Sequence, residues 1–353
     1  GTEASIFSQV VAAYMDVIRD SAIVSLNMAN VNVLGVNLQA SNDRFEVGDL
    51  TRTDVAQSES RLALARSDLQ TAEANLISSR ENYIARVGSP PDDLQPPPPL
   101  PGAPASPEIA VQVALADNPD ILAAKKAREA ARYDVRVAKA GVLPTLSGFA
   151  QGVYTSYLDP ELDRNKNAAV GATLTLPIYQ GGRPAAQVRQ NQALESQAIE
   201  QEIEVERGVI AQTRSAYASW QASLQSIQSN QKAVEAANLS LEGVRAENSV
   251  GSRTILDILN AEQEALNAKV QLVSARRNAY VAGFSLLAAM GHAEADDLSL
   301  ETGALYDPMV NYERVKGKWF DWDFDPAPRR QATPTVDTPT QNANVPAGLA
   351  QQP

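Results

Sequence analysis

Residues 7–88 of this chain recur 203 positions later without a gap. Val47-Gly48 returns as Val250-Gly251, Thr51 as Thr254, Asp54 as Asp257, Glu59 as Glu262, Leu69 as Leu272, Asn75 as Asn278 and Gly88 as Gly291. Upstream of the break, Ala13-Tyr14 returns as Ala216-Tyr217 and Leu38 as Leu241. Shared helical patterning alone would match the apolar positions. It would not place a Val-Gly break and a terminal glycine in one register. Each copy therefore reads as two helices separated by a Val-Gly turn, where glycine supplies φ > 0.

The apolar period says how those helices pack. In the second copy Ile203, Ile210, Tyr217 and Leu224 are spaced by sevens, with Thr213, Trp220, Ile227, Val234 and Leu241 three residues out of phase. Phe7, Val10, Tyr14, Val17, Val24, Met28, Val31 and Leu38 trace the same seam in the first copy. Beyond the breaks, Val55, Leu62, Leu69, Leu76 and Tyr83, and Leu259, Leu266, Val273, Tyr280 and Leu287, repeat by sevens as well. A sustained 3.5-residue period predicts long helices packed as antiparallel coiled coils. Proline placement agrees, because nine of the 21 prolines fall between Pro90 and Pro107 and six from Pro326 onward. The stretches 1–89, 120–143 and 185–307 contain none, as uninterrupted helices require. The first cluster reads as a semi-rigid polyproline connector, and residues 327–353 as a disordered tail with little apolar surface to bury.

One segment breaks the helical pattern. Between Pro144 and Pro184, Val170, Ala172, Leu174, Leu176 and Ile178 alternate with Ala169, Gly171, Thr173 and Thr175, the period of a strand with one apolar face. PTLSGFAQGVYTSYLDP (144–160) supplies a second strand, with LDPELDRNKN (158–167) as the connecting loop. Each is about the ten residues a tilted membrane strand needs, with Tyr154, Tyr157 and Tyr179 near the ends. A soluble hairpin and a hairpin capping a bundle remain open at this point. The longest apolar run, near Gly283 to Met290, is far short of a spanning helix, so any membrane crossing falls to the strands.

Composition removes other classes. Thirty Lys and Arg against 42 Asp and Glu leave a net charge of −12, the wrong sign for nucleic acid. With no cysteine and one histidine, His292, the chain has no thiol nucleophile, cysteine-ligated zinc or histidine triad. His292 follows the Gly291 stop and is expected to interact with the helix C-terminus. No Walker A, dinucleotide-binding or nucleophile-elbow pattern occurs, so neither enzyme activity nor a cofactor is expected.

In ADNPDILAAKKAREAARYDVRVAKAGVLPTL (116–146), TLTLPIYQGGRPAAQVRQ (173–190) and VGSRTILDILNAEQEALNAKVQLVSAR (250–276), the sequence resembles the TolC family of outer-membrane efflux and type I secretion channels. The resemblance covers about residues 1–300. It implies a mainly α fold with a β-hairpin, in which long antiparallel coiled-coil helices form an α-barrel continued by strands of a transmembrane β-barrel. It implies a homotrimer in the outer membrane with a large periplasmic part, working with a periplasmic adaptor protein and an inner-membrane transporter. On this reading residues 1–89 are a partial first repeat and 90–107 an inter-repeat linker. Residues 108–298 are the second repeat, with the membrane hairpin at 144–180 and the helical hairpin at 184–290. Residues 299–326 form a belt segment. The second copy's hairpin has no counterpart in the first, so the whole protein is expected to be longer by on the order of 100 residues. Two strands per chain give six in a trimer, fewer than the eight of the smallest barrels.

The resemblance also assigns residues. The turns become a periplasmic gate, with Thr53 and Asp54 as first-copy partners, Arg253 as the gate arginine and Asp257 as an aspartate of the constriction ring. Two positions depart from the family pattern, with Asn248 where a gate tyrosine is expected and Asn260 where a second ring aspartate is expected. Val47, Gly48, Val250, Gly251 and Thr254 fall where the adaptor docks. Arg253 and Asp257 are also an (i, i+4) pair, which on a helix surface stabilises by about a few tenths of a kcal/mol. The function expected is a passive exit duct through which the transporter expels its cargo. The alternative is a periplasmic coiled-coil adaptor or scaffold without a membrane barrel.

Overall fold

The long helices occupy the stretches that lack proline, with proline only in the first turns of some helices. The computed structural model describes residues 1–92, 94–155, 165–295, 297, 308–320, 322–325, 327, 329–330 and 332–345. In chain order the elements are α1 (Thr2–Glu46), α2 (Arg52–Val87), α3 (Pro107–Asp117), α4 (Pro119–Ala140), β1 (Thr145–Thr155), β2 (Asn165–Thr175), α5 (Arg183–Ser249), α6 (Ile255–Met290) and α7 (Pro308–Val315). Most of the loop expected at 158–167, residues 299–307 of the belt segment and the last eight residues of the tail lie outside the described residues. The chain divides into two units, residues 1–118 with 209–353, and residues 119–208.

In the first unit α1 lies against α2 and α6. Val17, Val24, Ala72 and Leu76 meet between α1 and α2, and Leu34, Leu62, Ala65, Ile258 and Leu259 continue the apolar seam toward the turns. At the other end α3 seats Ala110 against Leu286 and Met290 of α6. By length and composition alone α1 is apolar enough to cross a membrane, which the sequence reading did not anticipate. It is instead tied laterally to other helices. Asp16 accepts from Arg277 Nε at 2.9 Å and pairs with Arg19 at 2.8 Å, while Asp20 accepts from Arg19 and from Ser79. Of the 67 residues of α5, the buried ones are Val209, Thr213 and Ala237. The seam predicted along α5 is thus only thinly covered within one chain, and Ile203 is 37 % exposed.

The proline-rich connector is held by tyrosines. A polyproline stretch has carbonyls but few N–H donors, so donors must come from side chains. Tyr280 donates to the Pro98 carbonyl at 3.2 Å, Tyr217 to that of Ala105 at 3.2 Å, and Tyr14 to that of Gln95. Leu94 is buried with Val17 and Leu76, and the Leu100 side chain lies over Gly283, where no Cβ stands in its way.

The tail differs from the expected disorder over part of its length. Ala343 and Val345 pack on the α1–α2 core. Arg80, itself buried, donates to the carbonyls of Asn342 and Asn344, and Glu81 accepts from the Gln341 N–H at 3.2 Å. A few apolar residues and a guanidinium reading backbone carbonyls suffice to order a segment whose composition alone suggested none.

In the second unit α4 pairs with the first part of α5 through Arg128 and Glu202, 2.9 Å apart. β1 and β2 pair antiparallel, with Thr145 opposite Thr175 and Thr155 opposite Asn165.

The duplication survives as geometry. Both second helices are 36 residues long, start at a threonine cap and stop at a left-handed glycine, Gly88 at φ 88° and Gly291 at φ 89°. Their surroundings differ. A Cβ on Gly291 would lie 2.6 Å from the Asp117 carbonyl oxygen, whereas one on Gly88 would meet only the Thr333 hydroxyl at 3.0 Å. Gly291→Ala combines left-handed strain with a backbone clash and is expected to cost about 1–3 kcal/mol. Gly88→Ala is expected to cost less. Chemical denaturation of both variants checks the order.

Candidate functional site

The two helix turns are built the same way. Gly48 (φ 81°) and Gly251 (φ 79°) occupy left-handed conformations. The Gly48 N–H donates to Phe45 at 3.0 Å and that of Asp49 to Arg44 at 2.8 Å. At the second turn Gly251 donates to Asn248 at 3.0 Å and Ser252 to Glu247 at 2.9 Å. These bonds satisfy carbonyls at the ends of α1 and α5. The next helix then opens on a capping box. Asp54 Oδ2 accepts from the Thr51 N–H at 2.9 Å and its hydroxyl at 2.7 Å, and Asp257 Oδ2 accepts from Thr254 at the same two distances. Reciprocal capping of this kind fixes where a helix begins.

The caps also set the charge. The Thr51 hydroxyl and backbone N–H hold the Asp54 carboxyl below the ordinary carboxylate range. Thr254 does the same for Asp257, with the positive field of Arg253 adding to it. Both carboxylates therefore face the turn as anions at neutral pH.

Of the residues singled out from the sequence, Arg253 behaves differently from the simple helix pair. Its guanidinium bonds to Glu247 at 2.7 Å, and this carboxylate raises its pKa; Asp257 acts on it only through the field. The reason is the turn itself, which folds the end of α5 back beside residue 253. Asn248 donates to the Arg253 carbonyl at 2.7 Å, and Asn260 accepts from Arg61 at 2.6 Å, joining α6 to α2. Thr53 lies exposed in the first turn of α2. Val47 and Val250 are 80 % and 76 % exposed, so each turn presents a bare apolar side chain. The ring of His292 meets Asp117 at 3.0 Å, at the end of α3, and not the end of α6.

Glu247, Glu262, Asn37 and Arg245 are participants that escaped the sequence reading. Glu247 was visible in principle, because it stands 203 positions after Arg44, and the first turn carries the mirrored pair Arg44–Asp49 at 2.9 Å. Glu262 is buried, accepting from Asn37 at 2.9 Å on both oxygens and from Arg245 at 2.9 Å. Beside it opens a groove of about 440 Å³ lined by Leu26, Val33, Leu241 and Lys269. No local sequence signal marks Asn37, 225 residues from Glu262. Among the described residues no group of His, Asp and Glu is arranged to hold a metal ion.

The hairpin has two chemically distinct faces. Its register puts Leu146 opposite Leu174, Gly148 opposite Ala172, Ala150 opposite Val170 and Tyr154 opposite Lys166 on one side. The other carries Thr145 with Thr175, Ser147 with Thr173, Phe149 with Gly171, Gln151 with Ala169 and Val153 with Asn167. One face is apolar and the other mostly hydroxyl, amide or small, as in a strand pair between lipid and water. Val170 is 86 % exposed in the single chain.

The family model described as outer membrane efflux protein matches residues 110–292. The chain is 38 % identical over 317 residues to the outer membrane efflux protein BepC of Brucella suis, covering 88 % of this chain and 68 % of BepC. It is 31 % identical to the outer membrane protein TolC of Escherichia coli, covering 86 % of this chain and 65 % of TolC. The chain thus spans about two thirds of the length of these relatives. Among solved structures, the outer membrane protein VceC of Vibrio cholerae shares the fold with a TM-score of 0.66 at 24 % identity, over 82 % of this chain and 70 % of VceC.

The capping boxes carry a pH signature. Each aspartate has a lower pKa folded than unfolded, so its contribution is complete above the unfolded value and is lost as pH falls through the depressed one. Replacing both hydroxyls (Thr51→Val with Thr254→Val) is expected to raise the two carboxyl pKa values and flatten the acid-side decline of the thermal midpoint. Side-chain carboxyl titration by NMR and melting at successive pH values measure the two effects.

Proposed function

The chain belongs to the outer membrane efflux protein family, a family of outer-membrane transport channels with periplasmic portions, and we propose that it serves as the passive exit duct of a tripartite efflux or type I secretion machine. The observation that carries the proposal is the face separation of the β1–β2 hairpin. A ribbon with a polar side and an apolar side suits a barrel wall with water within and hydrocarbon outside. A periplasmic scaffold would have no use for Leu146, Val170 and Leu174 on one exposed face.

The same physics calls for assembly of several copies, and the homotrimer is the assembly proposed here. An unpaired strand edge finds no hydrogen-bond partner in hydrocarbon, so strands of several chains must close on one another. The thinly covered α5 seam is then shared between neighbouring copies. Energy for transport comes from an inner-membrane transporter, with a periplasmic adaptor joining the two.

The helix turns form the periplasmic mouth. Three Asp257 carboxylates, ionised by their caps, make a ring of negative charge that draws cations into the opening. With Asn260 in place of a second aspartate, that ring stands single. Asp54, Thr53, Asn248 and Arg253 lie around it, with Arg253 held by Glu247. The adaptor reads the exposed apolar knuckles Val47 and Val250, whose presentation depends on Gly48, Gly251 and the Thr254 cap.

Planar-bilayer recording of the trimer tests the ring. Asp257→Ala is expected to weaken block by divalent cations while leaving monovalent conductance close to the parent's; unchanged block would remove the ring from the account. Gly251→Val, a β-branched residue at φ 79°, is expected to abolish co-purification of the adaptor while the trimer survives. Normal co-purification would show that the turn is not read.

A further inference from the structure

The chain carries 42 acidic residues, yet none falls within 135–157 or 165–194, the strands and the helix segments that flank them. Those two stretches hold Arg136, Lys139, Lys166, Arg183 and Arg189. Lys166 lies at the loop end of the hairpin, against the Tyr154 ring at 5.6 Å. The other four gather at the opposite end, where helices meet strands. There α4 and the start of α5 run antiparallel, with the Asn191 side chain donating to the Asp134 carbonyl and Arg128 paired with Glu202. That register sets Arg136 and Lys139 level with the first two turns of α5, which carry Arg183 and Arg189. All four side chains are exposed. Among the described residues the ion pairs of this unit are Lys126–Glu129 and Arg128–Glu202, and neither includes one of the four. Arg136 instead lies over the Tyr133 ring at 5.0 Å. Along the chain, Val142, Leu143, Leu176, Ile178 and Tyr179 separate these cations from the paired strands, and each is exposed. From the strands into the helices the surface thus passes from apolar to cationic, and acids return only at Asp134 and Glu195. An apolar band bordered by aromatics and then by cations follows the order hydrocarbon, interface, headgroup.

Taking the duct reading above as its premise, we propose that Arg136, Lys139, Arg183 and Arg189 form a cationic collar that holds the phosphates of acidic phospholipids in the leaflet from which the helices emerge. Two features commit the site to a lipid. The cations adjoin exposed apolar residues without a break, so a ligand with an acyl chain beside a phosphate satisfies both. Positive charge is also concentrated here in a chain of net charge −12, whose other surfaces repel anions. Each arginine offers a planar fork to two phosphate oxygens, and Lys139 a compact point charge. Cations at an anionic surface add to one another's attraction, which decays within a Debye length. Bound headgroups thereby set the depth at which the hairpin sits.

For the test, the full-length protein is reconstituted into vesicles of phosphatidylcholine alone and of equimolar phosphatidylcholine and phosphatidylglycerol. The vesicles are floated, the protein is extracted in mild detergent, and its retained phospholipids are identified by native mass spectrometry. From the mixed vesicles the parent is expected to retain phosphatidylglycerol over phosphatidylcholine by about tenfold. High salt during extraction is expected to lower that ratio severalfold. The quadruple variant Arg136→Gln, Lys139→Gln, Arg183→Gln, Arg189→Gln is expected to bring the two lipids near parity. Replacing Arg207, Arg214 and Lys232, exposed cations elsewhere on α5, by Gln is expected to leave the parent's preference intact. Equal retention of the two lipids by the parent overturns the proposal, as does a preference that survives the quadruple substitution or vanishes equally in the α5 control. If the quadruple variant fails to assemble, the parent still decides, because a ratio unmoved by salt overturns the collar. A quadruple variant that keeps the parent's lipids but changes ion selectivity in planar bilayers assigns the cations to the water passage and overturns it too. A parent that floats with neither vesicle refutes the duct reading, and the collar with it. One that floats with both and prefers neither lipid removes the collar alone.

Discussion

A two-stranded ribbon leaves one edge of each strand without backbone partners, and hydrocarbon supplies none. That constraint governs what the rest of the chain must do. The β1–β2 hairpin is well paired internally, yet its outer N–H and C=O groups need further strands before it can sit in a membrane. The long helices answer the same demand at the level of side chains. The middle and end of α1 and α6 are covered within the chain, whereas α5 holds an apolar seam that a single copy hardly touches. On the proposed reading neighbouring copies meet both deficits, which makes assembly a condition of the fold and not an addition to it.

Much of this was legible in the residues because the relevant chemistry is local. A Val-Gly pair followed by Thr-x-x-Asp specifies a left-handed turn and a capping box within about ten residues, and both copies adopt it nearly identically. Strand alternation from residue 169 was equally plain, since a period of two needs no knowledge of partners, although β2 stops at Thr175, short of Leu176 and Ile178, and begins earlier, at Asn165. What stayed hidden were contacts closed by the fold. Arg253 turned to Glu247 because the turn brings the end of α5 beside it, a geometry that helical spacing does not encode. Asn260 found Arg61 across 199 residues, and the tail found Arg80 across more than 260. In each case a surface residue type acquired its role from a distant element.

The proline connector shows how composition and structure part company. Its sequence marks it as a spacer, and its backbone has few donors with which to bind anything. Tyrosine hydroxyls from α1, α5 and α6 compensate by donating to its carbonyls, so the strap is fixed by residues that belong to the seam pattern of the helices. Tyr14 and Tyr217 are equivalent positions of the two copies. Each has been recruited to the same task on different parts of one connector.

The two capped turns separate shape from charge. Glycine and the threonine–aspartate boxes define the backbone path, with Asn248 bridging the second turn to the Arg253 carbonyl, while the side chains of residues 44, 247 and 253 set the charge around it. Opposite charges at 44 and 247 already show that the copies have drifted apart on the same scaffold. Selection is consequently free to rewrite the ionic character of these turns one side chain at a time, and descendants of a single duplicated hairpin need not carry the same charge.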